Sequence, residues 1–81
     1  MWFVYVLLCE DQSFYTGISN NLERRYSQHK SGNGGRYTRS HRPIKLIYQE
    51  KVATRSDALK REAKIKSWGR DKKIKTLNLR K

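Results

Sequence analysis

The chain has 81 residues, with 19 Lys and Arg against 7 Asp and Glu, for a formal net charge of +12. That length provides one domain with a core of modest size, and the single cysteine, Cys9, excludes an internal disulfide and reads as a small buried hydrophobe in a reducing compartment. The apolar start, Trp2 to Leu8, has no basic segment before it and stops at Glu10-Asp11, too short to span a bilayer, so a cytoplasmic protein with no secretory or membrane segment is expected.

The charge is unevenly placed: residues 1–19 carry no basic side chain, and all the positive charge belongs to residues 20–81. A self-repelling field of this size implies a polyanionic partner, DNA, RNA or a ribosome. No segment pairs a basic face with a broad apolar one, which argues against a membrane surface. Charge alone does not separate binding from catalysis.

In chain order, Trp2-Phe3-Val4-Tyr5-Val6-Leu7-Leu8-Cys9 is β-branched and aromatic with no polar break, as expected of a central strand covered on both faces. Glu10 to Ser13 reads as a turn and Phe14 to Ile18 as a second strand, forming a hairpin. Tyr5 and Tyr15 share a face of that hairpin only if the loop has an odd residue count or a bulge intervenes. Asn20 is placed to cap a helix with Glu23 reaching back, and Arg25 and His29 then stand together at i, i+4. Gly32 to Arg42 is a basic, glycine-rich loop. Pro43 opens a third, edge-type strand in which Ile44, Leu46 and Tyr48 alternate towards one face. Thr54 and Asp57 start a helix to about Trp68, Gly69 breaks it, and a last short helix carries Ile74, Leu77 and Leu79 back onto the body.

Glu62 lies on or beside the inward stripe of its helix, near Ala58, Leu59 and Ile65. Two partners fit it: a hard divalent cation, which takes one or two carboxylates plus phosphate, or Lys66 at i, i+4. Arg25 offers a planar fork matched to phosphate oxygens, and equally reads as a solvated arginine like its neighbour Arg24. His29 titrates near neutrality, although a helical histidine before a glycine commonly serves the helix dipole. Tyr5 and Tyr15, each alone, read as core aromatics with a satisfied hydroxyl. One cysteine and two histidines, His29 and His41, give no zinc site of familiar spacing, and Gly32 to Gly35 lacks the strand and Lys-Ser/Thr of a Walker loop.

Taken together, these residues resemble the GIY-YIG nuclease superfamily, and more closely its small stand-alone bacterial UPF0213 group. Phe3-Val4-Tyr5 stands where the first motif has Gly-Ile-Tyr, and Tyr15-Thr16-Gly17 stands for Tyr-Ile-Gly. The run from Tyr15 to Arg25, the segment Tyr26 to Gly32, the following Gly34-Gly35-Arg36-Tyr37-Thr38, and the stretch Leu59 to Lys66 around Glu62 continue the similarity over nearly the whole chain. Phe3 departs from the motif glycine. Asn78 is the only candidate for the asparagine that many relatives carry after the glutamate.

The resemblance implies a small α+β domain, a three-stranded antiparallel sheet flanked by helices, spanning residues 1–81. It implies a metal-dependent endonuclease that hydrolyses phosphodiester bonds of DNA in preference to RNA, structure-selective or weakly specific, in repair or recombination. Glu62 would anchor one Mg²⁺ or Mn²⁺, which would stabilise the leaving 3′ oxygen. A tyrosine, foremost Tyr5, would activate water with Tyr15 or His29 helping, and Arg25 would steady the phosphorane. Gly17 would leave room for the phosphate, and Arg24, Arg36, Tyr37, Arg39, Arg42 and Lys66 would line the nucleic-acid path. No small-molecule cofactor is implied, and a monomer or weak homodimer is expected. The competing expectation is a catalytically weak module that binds DNA, RNA or a ribosome and keeps only the fold.

Overall fold

Strand β1, Trp2–Cys9, is the centre of the molecule, and every residue from Val4 to Cys9 is buried. The computed structural model describes residues 1–32 and 41–79. After β1 come β2 (Phe14–Ser19), α1 (Leu22–Lys30), β3 (Pro43–Val52), α2 (Arg55–Lys66) and α3 (Arg70–Leu77). The sheet order is β2-β1-β3 and both pairings are antiparallel, so the apolar strand is central as its composition requires.

The hairpin loop is shorter than the four-residue turn the sequence suggested. Cys9 N donates to Ser13 O at 2.9 Å, leaving Glu10, Asp11 and Gln12 as a three-residue loop, closed by Gln12 at φ 71°. An odd count sets Tyr5 opposite Gly17 and Leu7 opposite Tyr15, so both tyrosines project from one face. The other face carries Val4 and Val6, which cluster with Ala58, Ile65, Leu77 and Leu79. Each large aliphatic side chain buried there contributes about 1.5–3 kcal/mol.

Two local readings are corrected. Helix α1 is capped by Asn21, whose side chain accepts from Arg24 N at 3.1 Å; Asn21 N in turn donates to Ser19 Oγ at 3.0 Å, which holds the chain in a turn and starts the helix one residue later than Asn20. In β3 the simple alternation fails. Val6 pairs with Tyr48 but Leu7 pairs with Leu46, and a second register shift follows between Leu8 and Cys9. Tyr48 and Leu46 thus lie on opposite faces, and Ile44 is left 47% exposed. Asn78 is the left-handed residue (φ 54°, ψ 47°) that ends α3, after which Leu79 N donates to Ile74 O at 3.0 Å and turns Leu79 inward. Thr54 caps α2 as expected, accepting from Asp57 N at 3.1 Å. Among the described residues no helix is long and apolar enough to cross a membrane.

Candidate active site

Pairing in the hairpin brings the tyrosines together, and a missing side chain makes room for them. A Cβ on Gly17 would lie 2.7 Å from the Tyr5 hydroxyl oxygen, 2.8 Å from its Cζ and 3.0 Å from Tyr15 Cε2. The sequence reading gave Gly17 the task of clearing space for a phosphate; the structure shows that the space is filled by the two phenol rings. Their centroids are 6.2 Å apart, tilted by 46°.

Helix α1 lays His29 against this pair. Its ring is 4.9 Å from that of Tyr15 and 5.9 Å from that of Tyr5, and the Tyr5 hydroxyl lies 2.8 Å from His29 Nε2. Tyr5 and His29 are each 1% exposed, whereas Tyr15 and Arg25 are half-buried. One turn before His29, Arg25 interacts with both phenols and donates from Nη1 to Gln28 Oε1 at 3.1 Å. A guanidinium only donates, so in its interaction with Arg25 the Tyr5 oxygen is the acceptor, while the direction of the Tyr5–His29 bond is set by the imidazole tautomer. Gln28 was not singled out from the sequence, although its i, i+3 spacing from Arg25 was the available signal.

The electrostatics follow from this enclosure. Burial first, and the neighbouring Tyr15 second, push the Tyr5 phenol up to about 12, and Arg25 opposes them only partly. Burial, helped by the Arg25 charge, brings His29 down to about 4, so its imidazole is neutral at physiological pH. For Arg25, burial works against the charge, but its interactions with Tyr5 and Tyr15 outweigh it and the guanidinium is held more firmly protonated. The role of water-activating base expected of Tyr5 meets two obstacles here: no contact with solvent and a proton held more tightly than on a free phenol.

Glu62 projects from α2, which packs its Ala58 and Ile65 against the sheet. Its charge reaches Tyr5, where it contributes to the raised pKa. The Glu62 side chain is 19% exposed and its carboxylate lies 3.5 Å from Lys66 Nζ, so of the two partners foreseen for it the structure shows Lys66. Among the described residues no group of three or more acids, histidines or cysteines surrounds it. A single carboxylate suits Mg²⁺ or Mn²⁺, which keep several waters and share phosphate oxygens; it does not suit a four-ligand zinc site.

Of the expected nucleic-acid contacts, Arg24, Arg42 and Lys66 are exposed. The Arg42 carbonyl accepts from Glu10 N at 2.8 Å, which ties the return of the chain to the β1–β2 loop. Arg36, Tyr37 and Arg39 lie outside the described residues.

The family described as the GIY-YIG catalytic domain matches residues 1–77. The chain belongs to the GIY-YIG family. A UPF0213 protein of Staphylococcus saprophyticus is 43% identical over 76 residues, covering 94% of this chain and 93% of the relative. One from Staphylococcus aureus is 44% identical over 78 residues, covering 96% and 95%. Two solution NMR structures share the fold: the UPF0213 protein BH0048 of Bacillus halodurans (34% identity, TM-score 0.61, covering 96% of this chain and 84% of that one) and EF2693 of E. faecalis (44% identity, TM-score 0.65, 94% and 81%). This GIY-YIG domain is thus of the UPF0213 type, and its membership points to nuclease-type chemistry.

Proposed function

We propose that this GIY-YIG domain is an endonuclease that hydrolyses nucleic-acid phosphodiesters, DNA in preference to RNA, with one divalent cation held by Glu62. The observation that carries the reading is the convergence of Tyr5, Tyr15, Arg25 and His29 on one face of the hairpin, with the Glu62 charge within reach. A binding surface has no use for a half-buried acid that repels phosphate.

Of the two phenols, Tyr15 is the one solvent reaches; having released its own proton to solvent, it takes, as the phenolate, the proton of the attacking water. Arg25, which interacts with Tyr15, stabilises that phenolate before the transfer and offsets the negative charge that grows on the non-bridging phosphate oxygens. Tyr5 and His29 hold the Tyr15 ring and keep Arg25 in place; His29, neutral at physiological pH, hydrogen-bonds Tyr5 without adding a charge that would repel the guanidinium. Water oxygen bonds to phosphorus, the P–O3′ bond breaks, and the 3′ oxygen departs, taking a proton from solvent to become the 3′-hydroxyl. A cation on Glu62 supplies charge neutralisation at the phosphate and the leaving oxygen.

The test incubates the protein with single-stranded, duplex and branched DNA and with RNA, in Mg²⁺, Mn²⁺ or EDTA. Wild type cuts at least one substrate only with metal, and Glu62→Ala binds without cutting. Tyr15→Phe lowers kcat by about 100-fold or more, and Tyr5→Phe lowers it less. Failure to cut any substrate, with binding retained, leaves a nucleic-acid-binding module in place of an enzyme.

A further inference from the structure

Arg25, Gln28 and His29 lie on one face of α1, at i, i+3 and i+4. His29 is buried, with its Nε2 2.8 Å from the Tyr5 hydroxyl and its ring 4.9 Å from that of Tyr15, which fixes how the helix lies on the hairpin. Gln28 is half-buried, and both of its carbonyl oxygens are engaged. The backbone oxygen accepts from Ser31 Oγ at 3.0 Å and closes the end of the helix; Oε1 accepts from Arg25 Nη1 at 3.1 Å. A guanidinium is a rigid plane of N–H donors, so fixing Nη1 sets the direction of the rest. Those are the donors that serve Tyr5 and Tyr15.

The chemistry of the acceptor matters as much as its place. An amide oxygen holds the guanidinium by hydrogen bonding and leaves its positive charge uncompensated. A carboxylate there would hold it more strongly and neutralise it, leaving less for the anions of the reaction. A long arginine side chain held beforehand also loses less rotamer freedom when phosphate arrives.

We propose that Gln28 is the positioning residue for Arg25: its neutral side-chain oxygen holds the guanidinium where it serves Tyr15 and the scissile phosphate together, without drawing on the charge that both need. This rests on the nuclease reading, in which Arg25 stabilises the Tyr15 phenolate and the non-bridging oxygens. Gln28 acts through Arg25 and not on the substrate itself.

The experiment compares wild type with Gln28→Met, which removes the acceptor at similar length and helix propensity, and Gln28→Glu, which keeps an acceptor and adds a charge. Arg25 is read directly from its guanidinium N–H resonances by ¹⁵N NMR, assigned by their loss in Arg25→Ala. Gln28→Met speeds their exchange with water by about tenfold, and Gln28→Glu keeps them slow. A residue that only stabilised α1 would lower the melting temperature and leave these signals unchanged. In cleavage with Mg²⁺, Gln28→Met lowers kcat by about tenfold and changes KM by less than about twofold. Gln28→Glu also lowers kcat, although Arg25 is still held. It binds a short fluorescein-labelled DNA duplex in EDTA more weakly, with the slope of log affinity against log salt reduced by about one, whereas Gln28→Met keeps the wild-type slope.

Guanidinium signals as slow in Gln28→Met as in wild type overturn the positioning. A Gln28→Met protein that loses the slow signals but keeps wild-type kcat overturns its part in the reaction, and wild-type kcat or salt slope in Gln28→Glu overturns the need for a neutral acceptor. If wild type cuts nothing, the nuclease reading falls, and the resonances and salt slopes still decide whether Gln28 holds Arg25 with its charge free for phosphate.

Discussion

On one face of β1, Val4 and Val6 are 0% exposed and pack against Ala58 and Ile65, with side chains that ask nothing of their surroundings but exclusion of water. On the other face Tyr5 is buried almost as fully, yet its hydroxyl must find partners and finds His29 Nε2 at 2.8 Å and Arg25. The same strand, alternating by one residue, thus builds a core whose worth is area and a site whose worth is satisfied polarity. The first face is judged by volume. The second is judged by hydrogen bonds and by which groups carry charge.

The largest effect is expected on the apolar face. Ile65→Ala removes a fully buried side chain between α2 and the sheet and should lower unfolding free energy by about 2–5 kcal/mol, read from urea denaturation. A loss under about 1 kcal/mol would show that α2 does not close the core.

The polar face should instead respond to pH. The folded-state pKa of His29, about 4, lies below the 6.5 of a free imidazole, so the unfolded chain binds a proton that the folded one refuses. Its contribution is fully present above pH 6.5 and is lost as pH falls towards 4, up to about 3 kcal/mol in all. Denaturation curves between pH 7 and 4, with the imidazole titration followed by NMR, check both the size and the cause. Ile65→Ala should lower the whole curve without changing that slope. If it flattens the slope, the two faces are coupled and the contrast drawn between them fails.

Gly17→Ala intrudes on the polar face without removing anything from it. Its Cβ would fall 2.7 Å from the Tyr5 oxygen, and Tyr5 is buried and held by its bond to His29, so about 1–3 kcal/mol of stability is lost. The His29 imidazole should then titrate closer to its free value, because a displaced Tyr5 no longer seals it. An unshifted imidazole in a folded Gly17→Ala protein would mean the rings tolerate the intrusion.

How much of this was legible beforehand depends on whether a feature is periodic or relational. The apolar run of β1 announced a central strand, and Ala58 with Ile65 at helical spacing announced the inward stripe of α2; both follow from local pattern. The order of Tyr5, Tyr15, Arg25, His29 and Glu62 carried the resemblance to the family. What the sequence left open was parity, because one residue more or less in the loop after Cys9 would send Tyr15 to the core face. The bulges in β3 were invisible for a related reason: Ile44, Leu46 and Tyr48 alternate perfectly in sequence, and only pairing with β1 reveals the skipped residues. The burial of Tyr5 is a third case. Solvent exposure of a phenol depends on what α1 lays over it, which no spacing within β1 records, and so the task of meeting water passes from Tyr5 to Tyr15 in the function proposed here.

The smallest expected effect is the sharpest test of the contrast. Thr16 lies opposite Val6 on the apolar face, 3% exposed, and its Oγ1 is buried without a hydrogen-bond partner among the described residues. Tyr5 and Thr16 are thus two buried hydroxyls in one hairpin, one satisfied and one not. Removing the satisfied one strands His29 Nε2, so Tyr5→Phe should destabilise; removing the unsatisfied one strands nothing. Thr16→Val keeps the branched shape that suits a strand, replaces a hydroxyl by a methyl, and should raise stability by about 1 kcal/mol. Equal losses from Tyr5→Phe and Thr16→Val in the same urea titration would mean that Thr16 has found a partner, such as a buried water, and that the face carrying Val4 and Val6 is less purely apolar than its packing indicates.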